Sequence, residues 1–361
     1  MSQQNVIIVG AGLAGISLAR QLTGQGHTVT LLEKSRGVGG RCATRRVRSA
    51  ESSMEVAVDH GLPLLHGRSP EFREMVAAAA ASCTLVPDWP LHVQGQGTPC
   101  QPQGYDSRSR RWAVQQGVNA VAKHLARELV VQRQTRVTRL EPHGADFVVH
   151  VEGAAPQLAP TVVLTCPVPQ TLELLQPLAA ESEEVQGLVA LLRRVAMIPS
   201  LVVLAGYERP TASDWHLRLP GPRSIIHSLI NDSSKRARDE QDVTTPQVLV
   251  IQGTPAFSRR ELDGEPERWG DALLEAAAGE LGPWVKQPAW RQEHRWRHAR
   301  VLRGEELSHV VLLSWPGGAR LGLCGEAFNP AGGAEGAYLS GLELAGRISA
   351  DFATKHSTTR R

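Results

Sequence analysis

Three glycines near the start of the chain stand in the order G-x-G-x-x-G: Gly10, Gly12 and Gly15, within VIIVGAGLAG. An apolar strand precedes them and a helical pattern follows, which is the setting of a pyrophosphate site. Gly10 permits the tight turn, Gly12 lets backbone approach the phosphates, and Gly15 lets helix pack on strand. Leu13 and Ala14 open that helix, whose N-terminal N–H groups and partial positive charge suit an anion. Glu33 closes the next apolar run, HTVTLLEK. It lies roughly 20 residues past the glycines, where an acid accepts hydrogen bonds from ribose hydroxyls. An acid there disfavours a 2′-phosphate, so the ligand is an ADP such as that of FAD or NAD. A plain structural turn is the competing reading of any glycine triplet.

The stretch EKSRGVGGRCATRR bears on which dinucleotide. Gly39 and Gly40 follow Glu33 and Lys34 closely, with Arg36, Arg41 and Arg45 among them. A second glycine turn with an arginine lets the chain wrap the far side of a pyrophosphate. A cofactor held permanently needs this and a dissociating NAD does not, which favours FAD. The alternative is a solvated basic loop. Far along the chain, CGEAFNPAGGAEGAYLSGLELAGRI carries six glycines just before and within a helical pattern. Glycine is conformationally costly there, so this is either a turn or a place where backbone closes on something.

Other candidates stand alone. His60 follows an acid in VDHG and is either a flavin or substrate contact or a loop histidine. Trp296 alternates with His294 and His298 on one face of a strand and lines either a substrate or the core. His227 alternates with Ile225 and Leu229 and reads as a satisfied sheet histidine. The histidines near Trp296 lack metal spacing, and no metal is expected.

These features need elements to position them. The 361 residues allow roughly two domains. A formal net charge of +3 with interspersed signs argues against a nucleic-acid partner. Five widely spaced cysteines with no CxxC point to reduced thiols in a cytoplasm. No apolar run reaches the roughly 18 residues of a membrane span. Helices are expected at 13–22, from Ser69 as N-cap with Pro70 at the first position, at 118–129, at 183–194 and over ERWGDALLEAAAGEL, where Trp269, Leu273, Ala277 and Leu281 share a face. MIPSLVVLAGY, RSIIHSLIND, QVLVIQG and AWRQEHRWRHAR read as strands with few crossover helices, hence an antiparallel sheet. NDSSKRARDEQD reads as a charged surface connection and the C-terminal KHSTTRR as a frayed tail. The fold class is α/β: a discontinuous Rossmann-like FAD-binding domain plus an α+β substrate domain with a mainly antiparallel sheet. The expected boundaries are 1–75, 110–180 and 300–352 for the first, 76–109 and 181–299 for the second, and 353–361 for the tail.

GAGLAG…EKSRGVGGRCATRR followed by VDHG resembles the start of the amine-oxidase and glutathione-reductase-type flavoproteins. VQQGVNAVAKHL, VVLTCPVPQTLELL, EHRWRHARV and the C-terminal glycine-rich stretch make the likeness closest to the renalase-like flavoproteins, over essentially the whole chain. The resemblance implies that Gly10, Gly12, Leu13 and Ala14 face the pyrophosphate, with Glu33 holding the adenosine ribose, Lys34 beside it and Arg41 neutralising phosphate, and that Gly15, Arg36 and Gly40 also contact the cofactor. It implies that Asp59, His60, Gly61 and Leu62 lie near the flavin and that Val137 offers backbone to adenine. Glu326 would hydrogen-bond the ribityl or pyrophosphate region, Gly336 and Ala337 would aim N–H groups at the flavin pyrimidine edge from a helix beginning near Glu335, and Gly325, Gly333 and Glu335 would also contact the cofactor. Two departures fall on the substrate side: DHGLPLLHG, and QGTPAFS, which puts Gln252 where bacterial relatives carry a histidine. The implied activity is oxidation of a misreduced dihydronicotinamide, the 2- or 6-dihydro isomer of NAD(P), with O2 as acceptor. A flavin amine oxidase or desaturase-like enzyme, and an FAD-binding protein without turnover, are the alternatives. His60, Gln252 and Trp296 are the residues expected at the reacting face. Oligomeric state is left open.

Overall fold

A computed structural model describes residues 3–48, 55–208, 214–236 and 247–358. The chain forms two compact units: residues 1–40, 122–197 and 300–361 make the first, and 41–121 with 198–299 the second.

The first unit is built on a six-stranded sheet. Its strand order is Val311–Ser314, Arg320–Leu323, Thr161–Leu164, Asn5–Val9, Thr28–Glu33, Val130–Arg133. All neighbours run parallel except Val311–Ser314, which is antiparallel to Arg320–Leu323. A central parallel strand is covered on both faces and so reads as a continuous apolar run. Val6, Ile7, Ile8 and Val9 are buried accordingly, as are Thr161–Leu164. Helix Leu13–Gly24 follows the first strand, and helix Gly333–Thr358 packs on it. A Cβ on Gly341 would collide with Ser17 Oγ and the Ala14 carbonyl, so the contact needs glycine. Ser17 Oγ donates to the Tyr338 carbonyl at 2.7 Å across the same contact. The first and last helices thereby close on one sheet. The last helix runs through Thr358, past the point where a frayed tail is expected, and residues 359–361 lie outside the described residues.

The second unit carries another six-stranded sheet, ordered Trp290–Val301, Met197–Tyr207, Gln247–Gly253, Ile226–Asn231, Leu217–Leu219, Val93–Gly95. Its central neighbours are antiparallel. Helix Pro266–Leu281 buries Trp269, Leu273 and Ala277 against one face, with Leu281 at the margin. On another core, Val47, Val56 and Val58 of the antiparallel pair Thr44–Arg48 and Glu55–Asp59 pack with Val202, Leu204, Val248 and Val250. This packing is why residues 41–75 and 110–121 join the second unit, although the sequence groups them with the first. Residues 181–197 go the other way. Ser69 caps helix Pro70–Ala79, its Oγ accepting from Phe72 N at 3.3 Å. Helix Asn119–Leu125 is shorter than the 118–129 pattern.

Candidate active site

The nucleotide side is made of backbone. Gly10 sits at φ +107°, where L side chains are strained, and a Cβ there would lie 2.7 Å from Thr165 Oγ1. Thr165 Oγ1 lies 3.0 Å from the Val9 carbonyl and 3.1 Å from that of Gly10, its hydroxyl fixing the turn to the neighbouring strand. A Cβ on Gly15 would run into the Gly10 carbonyl, so helix packs on strand only through glycine. Gly12 is the N-cap and supplies no side-chain cap, and the first turn holds no acid. The first-turn N–H groups of a helix have no partner within the helix, so this end is laid out for an anion. Nothing of the chain lies within 4 Å of a Cβ built on Gly12. The turn is therefore open on the side from which a pyrophosphate would approach.

Glu33 does more than its spacing implies. Its Oε2 accepts from Ala11 N at 2.8 Å and its Oε1 from Ser35 N at 2.8 Å. The buried carboxylate ties the glycine turn to the start of the basic loop, and each oxygen keeps a second lone pair for a ribose hydroxyl. The second glycine turn is stapled to the first. Gly39 N donates to the Ala11 carbonyl at 2.8 Å, and Gly12 and Gly39 form a parallel bridge. Gly39 and Gly40 both have positive φ. Lys34 and Arg36 point into solvent, and Val137 opens the strand Val137–His143, paired with Val151.

The C-terminal glycine stretch belongs to the same unit. Gly325, at φ +148°, donates its N–H to Ser340 Oγ at 2.9 Å, and its Cβ would be 3.8 Å from the Thr165 carbonyl. Thr165 thus abuts both the first and the last glycine motifs. Buried Glu326 accepts from Val301 N at 3.3 Å. Gly332 and Gly333, both at positive φ, turn the chain into the last helix. Gly336 N is not aimed outward: it donates to the Gly332 carbonyl at 2.7 Å. The helix begins at Gly333, two residues before the expected start near Glu335. The first-turn N–H positions are therefore Gly333, Ala334 and Glu335; Gly336 and Ala337 lie beyond them.

In the second unit, side chains do the work. His60, His294 and Trp296 form one aromatic cluster. The His60 and His294 centroids lie 4.6 Å apart edge to face, those of His294 and Trp296 4.4 Å, and His60 stacks on Trp296 at 5.5 Å. Trp296 Nε1 donates to the His60 carbonyl at 2.9 Å. Gly61 has no Cβ because one would strike the Arg41 carbonyl and lie 3.2 Å from Trp296. Leu62 N donates to that same Arg41 carbonyl at 2.9 Å. Arg45, on the strand Thr44–Arg48, grips the cluster: Nη1 donates to Gln292 Oε1 at 2.9 Å and Nη2 to His294 Nδ1 at 3.1 Å. Accepting there leaves His294 neutral, with its proton on Nε2. Burial first, then the charges of its neighbours, push His294 down to about 3; burial and Arg45 push His60 down to about 4. Gln252 is elsewhere on the sheet, its Oε1 accepting from Ser228 Oγ at 2.8 Å.

Asp59 does not present its carboxylate to a ligand. Oδ1 accepts from Thr44 Oγ1 at 2.7 Å and Val118 N at 2.9 Å. Oδ2 meets Lys235 Nζ at 3.2 Å and Arg236 Nη2 at 3.0 Å. The same two cations hold Asp232, at 2.7 Å each. Burial opposes the charge on Asp59, and Lys235 and Arg236 overcome it, so its carboxyl stays below the usual carboxylate range. These residues come from NDSSKRARDEQD, which reads as a solvated connection. Instead Asp232 and Lys235 are fully buried, because Asp59 gives them a partner inside the unit. Residues 237–246 of that stretch lie outside the described residues. The sequence offers no signal for this quartet, because Asp59 stands far along the chain from the other three members.

Comparison with known proteins agrees with this geometry. The family of flavin containing amine oxidoreductases matches residues 96–349, and the chain belongs to it. An NAD(P)-binding Rossmann-like domain matches residues 8–79. A flavin-containing monooxygenase, FMO GS-OX4 of Arabidopsis thaliana, is 31% identical over 143 residues, 39% of this chain and 29% of that protein. The chain therefore matches under a third of that relative's length. A putative protoporphyrinogen oxidase from Exiguobacterium superposes with a TM-score of 0.72 at 13% identity, covering 97% of this chain and 100% of the other. Cyclohexylamine oxidase from Brevibacterium oxydans gives 0.69 at 14% identity, over 98% and 100%. Members of the family are FAD oxidoreductases, and the cofactor is a flavin, FAD being typical. The glycine turns, the uncapped helix and the open space at Gly12 fit such a dinucleotide. Among the described residues no helix is long and apolar enough to cross a membrane.

Proposed function

We propose that the protein is an FAD-dependent oxidase that takes a hydride from a dihydronicotinamide-type substrate, a misreduced 2- or 6-dihydro isomer of NAD(P), with O2 as the final acceptor. The observation that carries this reading is the His60, His294 and Trp296 cluster gripped by Arg45. FAD, when bound, supplies the hydride acceptor. The chain has to bind and orient the donor. Aromatic faces suit a flat dihydropyridine ring, and Trp296 favours the positive charge that grows on that ring as hydride leaves. Both histidines are uncharged at neutral pH and so do not oppose that charge. Arg45 offers a cation to the anionic part of a dinucleotide. Losing hydride from such a carbon needs no strong base, and none stands in the cluster. Reading Gly10, Gly12, Gly15, Gly40 and Glu33 as the pyrophosphate and ribose contacts, and Glu326 and Gly333 as the ribityl contacts, completes the proposal.

An amine substrate is the second reading, favoured by the family's own description and by the fold likeness to cyclohexylamine oxidase. Lys235, a lysine such chemistry could use, is already held by two carboxylates. Anaerobic mixing of the FAD-loaded protein with borohydride-treated NAD, which contains the misreduced isomers, should bleach the flavin rapidly. Bleaching by primary amines alone would overturn the nicotinamide reading. Bleaching by neither would leave a flavin-binding protein without turnover.

A further inference from the structure

A thiol and an imidazole meet in the second unit. Cys100 Sγ lies 2.6 Å from Nε2 of His227. Both residues are half-buried, reachable by a small molecule yet partly withdrawn from water. His227 stands on the strand Ile226–Asn231, and Cys100 on the segment that enters the short helix Pro102–Tyr105. That segment is fastened in place. Gln101 Oε1 lies 2.7 Å from His66 Nε2, and a Cβ on Gly104 would come within 2.8 Å of the His66 ring. Arg111 sits 5.1 Å over the Tyr105 ring. Burial, opposed by Arg111 and aided by the neighbouring Cys100 thiol, pushes the Tyr105 phenol up to about 12. Tyr105 therefore stays neutral at physiological pH.

The other four cysteines are built differently. Cys42, Cys83 and Cys324 are buried, and burial pushes the Cys42 and Cys166 thiols up to about 12. A thiol becomes a nucleophile as its thiolate, and an imidazole at hydrogen-bond distance draws off its proton. Cys100 has a ring nitrogen at that distance.

We propose that Cys100 and His227 form a second, thiol-based site that reacts with hydrogen peroxide. His227 Nε2 takes the thiol proton. The sulfur attacks one peroxide oxygen, an S–O bond forms and the O–O bond breaks. Sulfur is oxidised by two electrons to the sulfenic acid, and the leaving oxygen takes the proton back from His227 and departs as water. Thiol and peroxide thus give sulfenic acid and water, with no further reductant or oxidant. The site does not depend on which substrate the flavin serves.

The test uses the FAD-loaded, full-length protein with hydrogen peroxide and dimedone, which traps sulfenic acids, followed by peptide mass spectrometry. At neutral pH the adduct should form on Cys100 about tenfold faster than on any other cysteine. His227→Gln should slow it about tenfold at pH 7 and recover at alkaline pH, where the thiol ionises unaided. Cys100→Ser should abolish the fast adduct. First labelling of another cysteine, or an undiminished rate in His227→Gln, would overturn the proposal. Should His227→Gln fail to fold, the wild-type pH profile decides. A midpoint for Cys100 alkylation by iodoacetamide below the ordinary thiol value of about 8.5 is expected, and one at or above it sinks the idea.

Discussion

The two units build their chemistry from different material. In the first, the groups that would meet a dinucleotide are mainly peptide N–H groups, with the Glu33 and Glu326 carboxylates beside them, and the contribution of Gly10, Gly12, Gly15, Gly39 and Gly325 is to have no side chain. In the second, the candidate groups are side chains: the rings of His60, His294 and Trp296 with Arg45 and Gln292 beside them, and a buried ionic quartet that includes Asp59. A backbone site is specified by local spacing, since the turn that forms it is a few residues long. A side-chain site is specified by register between distant strands. The first arrangement tolerates little change in backbone, and the second can alter its ligand one side chain at a time.

The largest expected effect lies in the second unit. Lys235→Met leaves Asp59 and Asp232 with one buried cation where two stood, and should cost about 3–5 kcal/mol in chemical denaturation. A loss under about 1 kcal/mol would mean that the quartet does not hold the unit together. Next comes the contrast between two glycines of the first unit. Gly15→Ala drives a Cβ into the Gly10 carbonyl and should weaken FAD about a hundredfold, or about 3 kcal/mol. Gly12→Ala meets no protein atom, so the melting temperature without cofactor should hold while FAD affinity falls about tenfold. Equal loss of apo stability in both variants would break the distinction between a packing glycine and a phosphate glycine.

The pH dependence of stability tests the aromatic cluster. His60 and His294 have folded values of about 4 and about 3, below the unfolded value of about 6.5. As pH falls below about 6.5, the unfolded chain takes up protons that the folded cluster refuses, so stability drops until pH nears the folded values. Denaturation curves between pH 7 and 5 should therefore be steeper for wild type than for a His60→Gln, His294→Gln double variant. Identical slopes would show that the rings are not held neutral. The smallest effect is expected from Trp296→Phe, which removes the hydrogen bond to the His60 carbonyl and should cost about 1 kcal/mol.

What could be read from sequence follows the same division. The strand, glycine turn, helix, second strand and acid were all legible, because each lies within one short stretch governed by local geometry. The Ser69 cap and the apolar face of helix Pro266–Leu281 were legible for the same reason. Glu33's grip on the glycine turn was hidden, since spacing shows where an acid sits and not which N–H groups it serves. Arg45 reads from sequence only as one basic residue among several, because its partner His294 lies 249 residues further along the chain. The NDSSKRARDEQD stretch misled because charge in a sequence reads as exposure, while Asp59, far upstream, makes burial of Lys235 possible. The domain limits shifted because the antiparallel pair at 44–59 carries apolar residues that complete the second unit's core.

The most direct measurement of the proposed division of labour is anaerobic stopped-flow reduction of FAD-loaded wild type and Arg45→Gln by borohydride-treated NAD, with FAD content read on the same samples. The account predicts that wild type bleaches rapidly, and that Arg45→Gln keeps a full complement of FAD yet bleaches about tenfold more slowly, a difference of about 1.4 kcal/mol. Loss of FAD from Arg45→Gln, or bleaching at the wild-type rate, would contradict it.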